Sequence, residues 1–180
     1  MLEIDEKKAE YWLKKAEDSP RGQRAFALFK EGYNCAQSVA MAFADLIGME
    51  EKLLARTTSS FGGGMGRLRE VCGAVSGMFF VAGALYGYEE PGTAGQQEKA
   101  AHYARIQELA EEYRAVNGSI ICRELLGLET IGADQPMPEL RTAEYYKKRP
   151  CGQLVMLAAT ILESYMEEHP YEKGDHVRDL

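Results

Sequence analysis

Apolar residues recur every three to four positions along most of the chain, whereas the two-residue alternation of a strand is scarce. Ala, Glu, Leu, Lys and Met are frequent, and runs of β-branched residues are rare. This pattern predicts an all-α fold, a single-domain helical bundle of about five to seven helices. One segment, at residues 69–86, is apolar almost all round, so we expect it to lie at the centre of the bundle.

Capping residues, glycines and prolines place the ends of the helices. Asn34 and Ser119 are suitable N-cap residues, and Gly32 and Gly48 are suitable C-cap residues. The predicted helices cover about residues 5–17, 21–31, 34–47, 50–56, 69–86, 96–116, 119–126, 139–148 and 150–168. We expect three parts: a helical extension at residues 1–31 that packs on the bundle, a four-cysteine helical domain at 32–168 and a mobile tail at 169–180.

The chain of 180 residues carries 21 basic and 28 acidic residues, a formal net charge of −7. A surface of this sign repels phosphate backbones and anionic lipid headgroups, so neither nucleic acid nor a membrane is an expected partner. The longest nearly apolar stretch, at 73–88, has 16 residues and is shorter than the roughly 18–20 that span a bilayer. The N-terminus lacks the apolar region of a secretory signal, so we expect a cytoplasmic protein.

Four cysteines carry the candidate chemistry: Cys35, Cys72, Cys122 and Cys151. They are 37, 50 and 29 residues apart, with no CxxC pair and no histidine at zinc-finger spacing. Each lies within the first turn or so of a predicted helix and on its apolar stripe, and a returning segment separates consecutive cysteines. In an up-and-down bundle this order brings all four helix starts to one end, so we predict that the thiols meet in one place.

A helix N-terminus favours a thiolate because it carries about half a positive charge and unpaired N–H groups. Several thiolates in one place repel each other, and either oxidation to disulfides or binding of a cation or iron–sulfur cluster removes the repulsion. Burial of the cysteines as simple core residues is the remaining interpretation. Arg67 and Arg69 add positive charge near Cys72, so we predict that Cys72 is the most reactive of the four.

The glycine-rich stretch FGGGMG, at residues 61–66, precedes the helix of Cys72. It lacks the GK[ST] ending of a phosphate-binding loop and no strand precedes it, so we do not expect nucleotide binding. We expect its glycines, together with Gly73 and Gly77, to allow a close approach between backbone and helix. The three histidines lie in polar segments and are expected in solvent rather than at a metal: His102, His169 and His176.

Four motifs surround the cysteines: GYNCAQSV, FGGGMGRLREVCGAVSG, CRELLG and CGQLV. They resemble the C_GCAxxG_C_C family, a group of putative redox-active proteins defined by four cysteines and a CGAxxG signature. The signature corresponds here to residues 72–77, and the resemblance covers about residues 32–157. It implies that the four cysteines are the functional set, and it supplies neither a substrate nor a cofactor.

Three functions fit these observations. The first is thiol–disulfide exchange resembling that of an oxidoreductase, with Cys72 as the attacking thiolate and Cys35, Cys122 or Cys151 as the resolving partner. Its redox partner is an unidentified protein or a small thiol. The sequence indicates no electron donor, because no flavin or nicotinamide fingerprint is present. The second is an electron-transfer or structural protein in which all four cysteines ligate zinc or an iron–sulfur cluster. The third is a non-catalytic helical interaction module, including a homo-oligomer formed through the first helix or through the Met-rich faces.

Overall fold

The computed structural model describes residues 4–129 and 133–171. Regular structure in these residues is helical, and one isolated antiparallel bridge pairs two extended segments. The predicted all-α fold is therefore confirmed. Within the described ranges, no helix is long and apolar enough to cross a membrane.

The helices in chain order are α1 Glu6–Asp18, α2 Pro20–Glu31, α3 Cys35–Met41, α4 Ala44–Ile47, α5 Glu51–Thr58, α6 Gly62–Met65, α7 Gly73–Tyr86, α8 Gln96–Asn117, α9 Cys122–Leu125, α10 Ala143–Lys148 and α11 Cys151–Glu168. A 3₁₀ turn at Ser59–Phe61 joins α5 to α6, which is one irregular turn with left-handed backbone at Gly63 and Gly64. The helices of 12 or more residues, α1, α2, α7, α8 and α11, form the bundle. The described chain has more helical segments than predicted, because several connections close into short helical turns.

Helix α11 lies at the centre of the fold. It packs against α1, α2, α3, α7 and α8, and its side chains from Leu154 to Leu162 are buried. Helix α7, which the sequence predicts to be central, packs against α3, α8 and α11. The cavity described below lies where α3, α7, α9 and α11 begin.

The N-terminal helices share this core. Trp12 is buried in it, and the Trp12 Nε1–H donates to the Glu112 carboxylate of α8 at 3.0 Å. Ser19 caps α2 by accepting from the Gly22 N–H, and its hydroxyl donates to Glu163 of α11 at 2.5 Å. Residues 172–180, which form most of the predicted tail, lie outside the described residues.

Several predicted helix boundaries are wrong. The segment 34–47 forms two helices, because the backbone leaves the helical path at Phe43, with φ −117° and ψ 14°. Helix α7 begins at Gly73 rather than residue 69, and α9 begins at Cys122 rather than residue 119. The residues before both helices are extended because Val71 and Ile121 pair as an antiparallel bridge. Local periodicity does not report such a pairing, since its partners are far apart in the sequence.

Gly73 and Gly77 let α7 approach α3 closely. A Cβ atom on Gly77 would lie 2.7 Å from the Ala36 carbonyl oxygen, and one on Gly73 would lie 3.0 Å from the Cys35 Cβ. In a close-packed interior these positions cannot hold a larger residue without moving a helix. The predicted close approach is confirmed, and it places the start of α7, beside Cys72, next to the start of α3.

Candidate functional site

All four cysteines line one cavity of about 270 Å³. Cys35, Cys122 and Cys151 are the first residues of α3, α9 and α11, and Cys72 immediately precedes α7. The prediction that the four helix starts meet in one place is confirmed. Cys72 and Cys122 are buried, Cys35 and Cys151 are half-buried, and all four are free thiols.

Local capping and backbone pairing position these residues. Asn34 caps α3 through a capping box with Gln37, which fixes Cys35 as the first helical residue. The Cys72 N–H donates to the Ile120 carbonyl at 2.8 Å, and the Cys122 N–H donates to the Glu70 carbonyl at 2.7 Å. These two bonds hold Cys72 and Cys122 on adjacent extended segments.

The segment before Cys72 has an unusual backbone. Met65, Arg67 and Arg69 have φ angles of 60°, 68° and 63°, in the left-handed region that costs a non-glycine residue about 1–2 kcal/mol. Such conformations persist where surrounding contacts hold them, and they are frequent at functional sites. Both arginine side chains are part of the cavity wall.

Residues 133–142 lie over one side of the cavity, and ion pairs between Asp134 and two arginines of the wall hold them there. Asp134 bridges the guanidinium groups of Arg67 and Arg69, at 2.7 Å and 2.5 Å. The Arg67 side chain is 18% exposed, and the Arg69 residue is 5% exposed. Both guanidinium groups hold the pKa of Asp134 below its ordinary value, with the Arg69 hydrogen bond as the largest cause. The carboxylate is therefore ionised at neutral pH.

Two further arginines line the cavity near Cys151. Arg149 precedes α11 by two residues and pairs with Glu139 at 2.5 Å. Arg141 donates to the carbonyl oxygens of Phe29 and Tyr33, at 2.7 Å and 2.8 Å. With these two residues the cavity wall contains four arginines and one acidic residue, although the whole chain carries a net charge of −7.

Cys35 and Cys151 are the two half-buried thiols of the cavity wall, and each shifts the pKa of the other. The hydrogen bond from Cys35 lowers the pKa of Cys151 to about 7, against desolvation and with help from the positive charge of Arg149. The same hydrogen bond is the first cause that raises the pKa of Cys35, followed by burial. The position of Cys151 at the start of the 18-residue α11 acts in the same direction as the arginines. Near neutral pH the pair therefore keeps Cys35 protonated and favours the thiolate at Cys151.

The environment of Cys72 opposes the reactivity expected from the sequence. Burial raises the pKa of Cys72 to about 12, although a backbone hydrogen bond from Ala74 acts the other way. Its Sγ lies 3.9 Å from the Tyr113 hydroxyl, which is itself completely buried. A thiol in this setting stays protonated at neutral pH.

The arginine expected to activate Cys72 contacts Cys122 instead. The Arg69 Nη1 lies 3.8 Å from the Cys122 Sγ, since the extended segments place Arg69 beside the start of α9. Burial nevertheless raises the pKa of Cys122, and the contact with Arg69 only opposes this effect. Cys122 is therefore a buried thiol with a cation in contact.

The four thiols have different surroundings, which bears on the alternative of a four-thiolate metal or iron–sulfur centre. Among the residues that the structure describes, no group of three or more cysteine, histidine, aspartate or glutamate side chains is arranged to hold a metal ion. The thiols have different neighbours. Cys35 and Cys151 interact with each other as free thiols, Cys72 faces the Tyr113 hydroxyl, and Cys122 contacts the Arg69 guanidinium. A guanidinium against a sulfur opposes binding of a metal cation there.

The residues that surround the thiols are mostly invisible to sequence reasoning. The sequence does indicate a positive charge near Cys151, because Arg149 ends a basic run directly before Pro150 and Cys151. Asp134 and Arg141 lie in a loop region with no motif, and only the folded chain brings them to the cavity. Tyr113 lies on α8, far along the chain from Cys72.

The two histidines that the structure describes, His102 and His169, take no part in the cavity wall. His102, on α8, is buried rather than solvent-exposed as predicted. Its ring packs edge-on against the Tyr88 ring, and its Nδ1 lies 3.2 Å from the Arg105 Nη1. Burial, followed by the charge of Arg105, lowers the pKa of His102. His169 is exposed and stacks on Tyr165. The prediction for His176 falls outside the described residues.

Replacing Arg149 by glutamine is expected to raise the pKa of Cys151, because the substitution removes the cation that contributes most to lowering it. The pH midpoint for alkylation of Cys151, followed by mass spectrometry, should move upward from about 7 by roughly half a pH unit. Lys148→Gln is the matched control, since it removes the neighbouring positive charge from an exposed side chain. An equal shift in both variants would show that the effect of Arg149 is not local.

Comparison with known proteins gives one family. The model of the C_GCAxxG_C_C family, described as a putative redox-active protein, matches residues 33–165. No curated protein and no solved structure shows a significant match to the chain. The matched range contains all four cysteines and every arginine of the cavity wall.

Proposed function

The chain belongs to the C_GCAxxG_C_C family of putative redox-active proteins, and we propose that it exchanges thiols and disulfides through Cys151 and Cys35. Cys151 is the attacking thiolate and Cys35 is the resolving thiol. The observation that carries this assignment is that Cys35 and Cys151 are the two half-buried thiols of the cavity wall, at the starts of α3 and α11. Their mutual interaction lowers the pKa of Cys151 and raises the pKa of Cys35.

The reaction takes place in two exchanges. The Cys151 thiolate attacks one sulfur of a disulfide R–S–S–R, so that a Cys151–S–S–R bond forms and RS⁻ leaves. Cys35 then loses its proton and attacks the Cys151 sulfur, which forms the Cys35–Cys151 disulfide and releases the second RS⁻. The protein loses two electrons and the proton of Cys35, and the substrate disulfide becomes two thiolates, which take up protons from water to the extent that their own pKa values require.

The cavity supports both steps. Positive charges from Arg149, Arg69 and Arg141 act on Cys151 and stabilise its thiolate. Cys35 lies on the same cavity wall and interacts with Cys151, so the second step requires that the two sulfurs approach to about 2.05 Å. Cys72 and Cys122, both buried and both with raised pKa values, remain thiols in this scheme.

Thiol counting after oxidation tests the proposal. The reduced full-length chain, mixed with 2-hydroxyethyl disulfide, should lose two of its four thiols and retain no adduct. Cys35→Ser should stop after the first exchange, with one mercaptoethanol bound to Cys151, because the resolving thiol is absent. Cys72→Ala is the matched control and should behave as the unchanged protein does. Four unreacted thiols, or an adduct on Cys72, would contradict the proposal.

A further inference from the structure

We propose that the cavity takes a small disulfide whose thiol moiety carries a carboxylate, and that Arg67 and Arg69 bind this carboxylate. The inference rests on the proposed function and names the substrate class for the same site. The first exchange then leaves the anionic half of the substrate bonded to Cys151 inside the cavity, and the other half leaves as RS⁻. Attack by Cys35 releases the retained half as a second thiol.

Unpaired donors point to an anionic ligand. The Nε atoms of Arg67 and Arg69 are buried, and neither has a hydrogen-bond partner among the described residues. A buried guanidinium N–H without an acceptor costs free energy comparable to a lost charge-assisted hydrogen bond. Since both side chains line the cavity, a carboxylate bound there lies against guanidinium groups whose hydrogen-bonding capacity Asp134 does not use up.

The charge of the cavity supports the same class of ligand. Its wall has four arginines against Glu139, and Asp134 pairs with the Nη2 atoms of Arg67 and Arg69 rather than with their Nε atoms. The chain as a whole has a net charge of −7, so the excess of arginines in the wall makes the electrostatic potential of the cavity differ in sign from that of the chain as a whole. The field therefore attracts an anionic disulfide and repels a cationic one.

The size of the cavity favours a small molecule over a protein. A volume of about 270 Å³ lies just below the range of about 300–1,000 Å³ that is usual for small-molecule pockets. Residues 133–142 cover one side of it and are attached through Asp134 and Glu139. A cavity of this volume suits the single thiol moiety of a small disulfide better than a protein disulfide, which would bring the backbone on both sides of its cysteine into the same space.

Rates with three small disulfides test the substrate class in the full-length chain. Oxidised glutathione is anionic, 2-hydroxyethyl disulfide is neutral and cystamine is cationic. Each rate is divided by the rate of the same disulfide with dithiothreitol, which cancels intrinsic reactivity. At low ionic strength the anionic disulfide should exceed the cationic one by at least about tenfold, and salt should reduce the ratio.

Variants locate the effect. Arg67→Gln should lower the ratio of the anionic to the neutral rate by roughly fivefold, and Arg67→Lys should retain part of it because the charge is kept. Arg24→Gln is the control, since Arg24 is exposed on α2 and lies outside the cavity wall. Its ratio should equal that of the unchanged chain.

The outcomes separate the two proposals. Equal normalised rates for all three disulfides would overturn the substrate class and leave the redox pair intact. The same conclusion would follow if Arg24→Gln lowered the ratio of the anionic to the neutral rate as much as Arg67→Gln does. A faster reaction with the disulfides of insulin than with oxidised glutathione would also overturn it. No reaction with any disulfide would overturn both proposals.

Discussion

Cys151→Ser should lower the rate of the first disulfide exchange at pH 7 by at least about 100-fold, the largest effect expected from any single substitution. Cys151 is about half ionised at this pH, because its pKa is about 7. Cys72, with a pKa of about 12, contributes roughly one thiolate in 10⁵ molecules. Rapid mixing with 2-hydroxyethyl disulfide, followed by quenching with acid and mass spectrometry, measures the rate.

The control for this experiment is again Cys72→Ala, whose rate should stay within about threefold of the unchanged protein. Circular dichroism of both variants shows whether the helices are intact. A Cys151→Ser protein that is folded and still reacts at more than about a tenth of the original rate would contradict the assignment of the nucleophile.

Gly77→Ala should destabilise the fold by about 3 kcal/mol, because overpacking of a close helix contact is costly. The added Cβ would lie 2.7 Å from the Ala36 carbonyl oxygen and 3.0 Å from the Val39 Cβ, so α3 and α7 must separate. For a chain of this size, thermal unfolding should shift downward by roughly 6–12 °C. Thermal denaturation followed by circular dichroism measures the shift.

Gly83→Ala is the matched control in the same helix. Apart from its chain neighbours and the nearby backbone of α7 itself, no heavy atom of the described residues lies within 4 Å of a Cβ built on Gly83. Because alanine favours helix over glycine, this variant should be stabilised by about 0.5–1 kcal/mol. Equal destabilisation by both substitutions would show that helix propensity, rather than contact with α3, decides the effect.

Much of the fold follows from local patterns in the sequence. Helix starts at Cys35 and Cys151 are set by neighbouring residues, since Asn34 caps α3 and a proline precedes α11. The meeting of the four helix starts also follows from sequence, because it depends only on helix order and on returning segments.

The chemical roles of the cysteines depend on contacts that no local pattern reports. The bridge between Val71 and Ile121 turns Arg69 towards Cys122, so proximity in sequence to Cys72 was misleading. The reactivity expected at Cys72 also required exposure, and its burial against Tyr113 removes this condition. Cys151 gains its low pKa from Cys35, a residue far away in the chain.

The disulfide formed on oxidation tests the central claim most directly. Lysines and arginines separate the four cysteines, so trypsin places each of them in a different peptide. After oxidation without reductant, mass spectrometry should find one crosslink, between the peptides that contain Cys35 and Cys151, with Cys72 and Cys122 still alkylatable after unfolding. A crosslink that contains Cys72, or four free thiols after complete oxidation of a reference dithiol, would contradict the account.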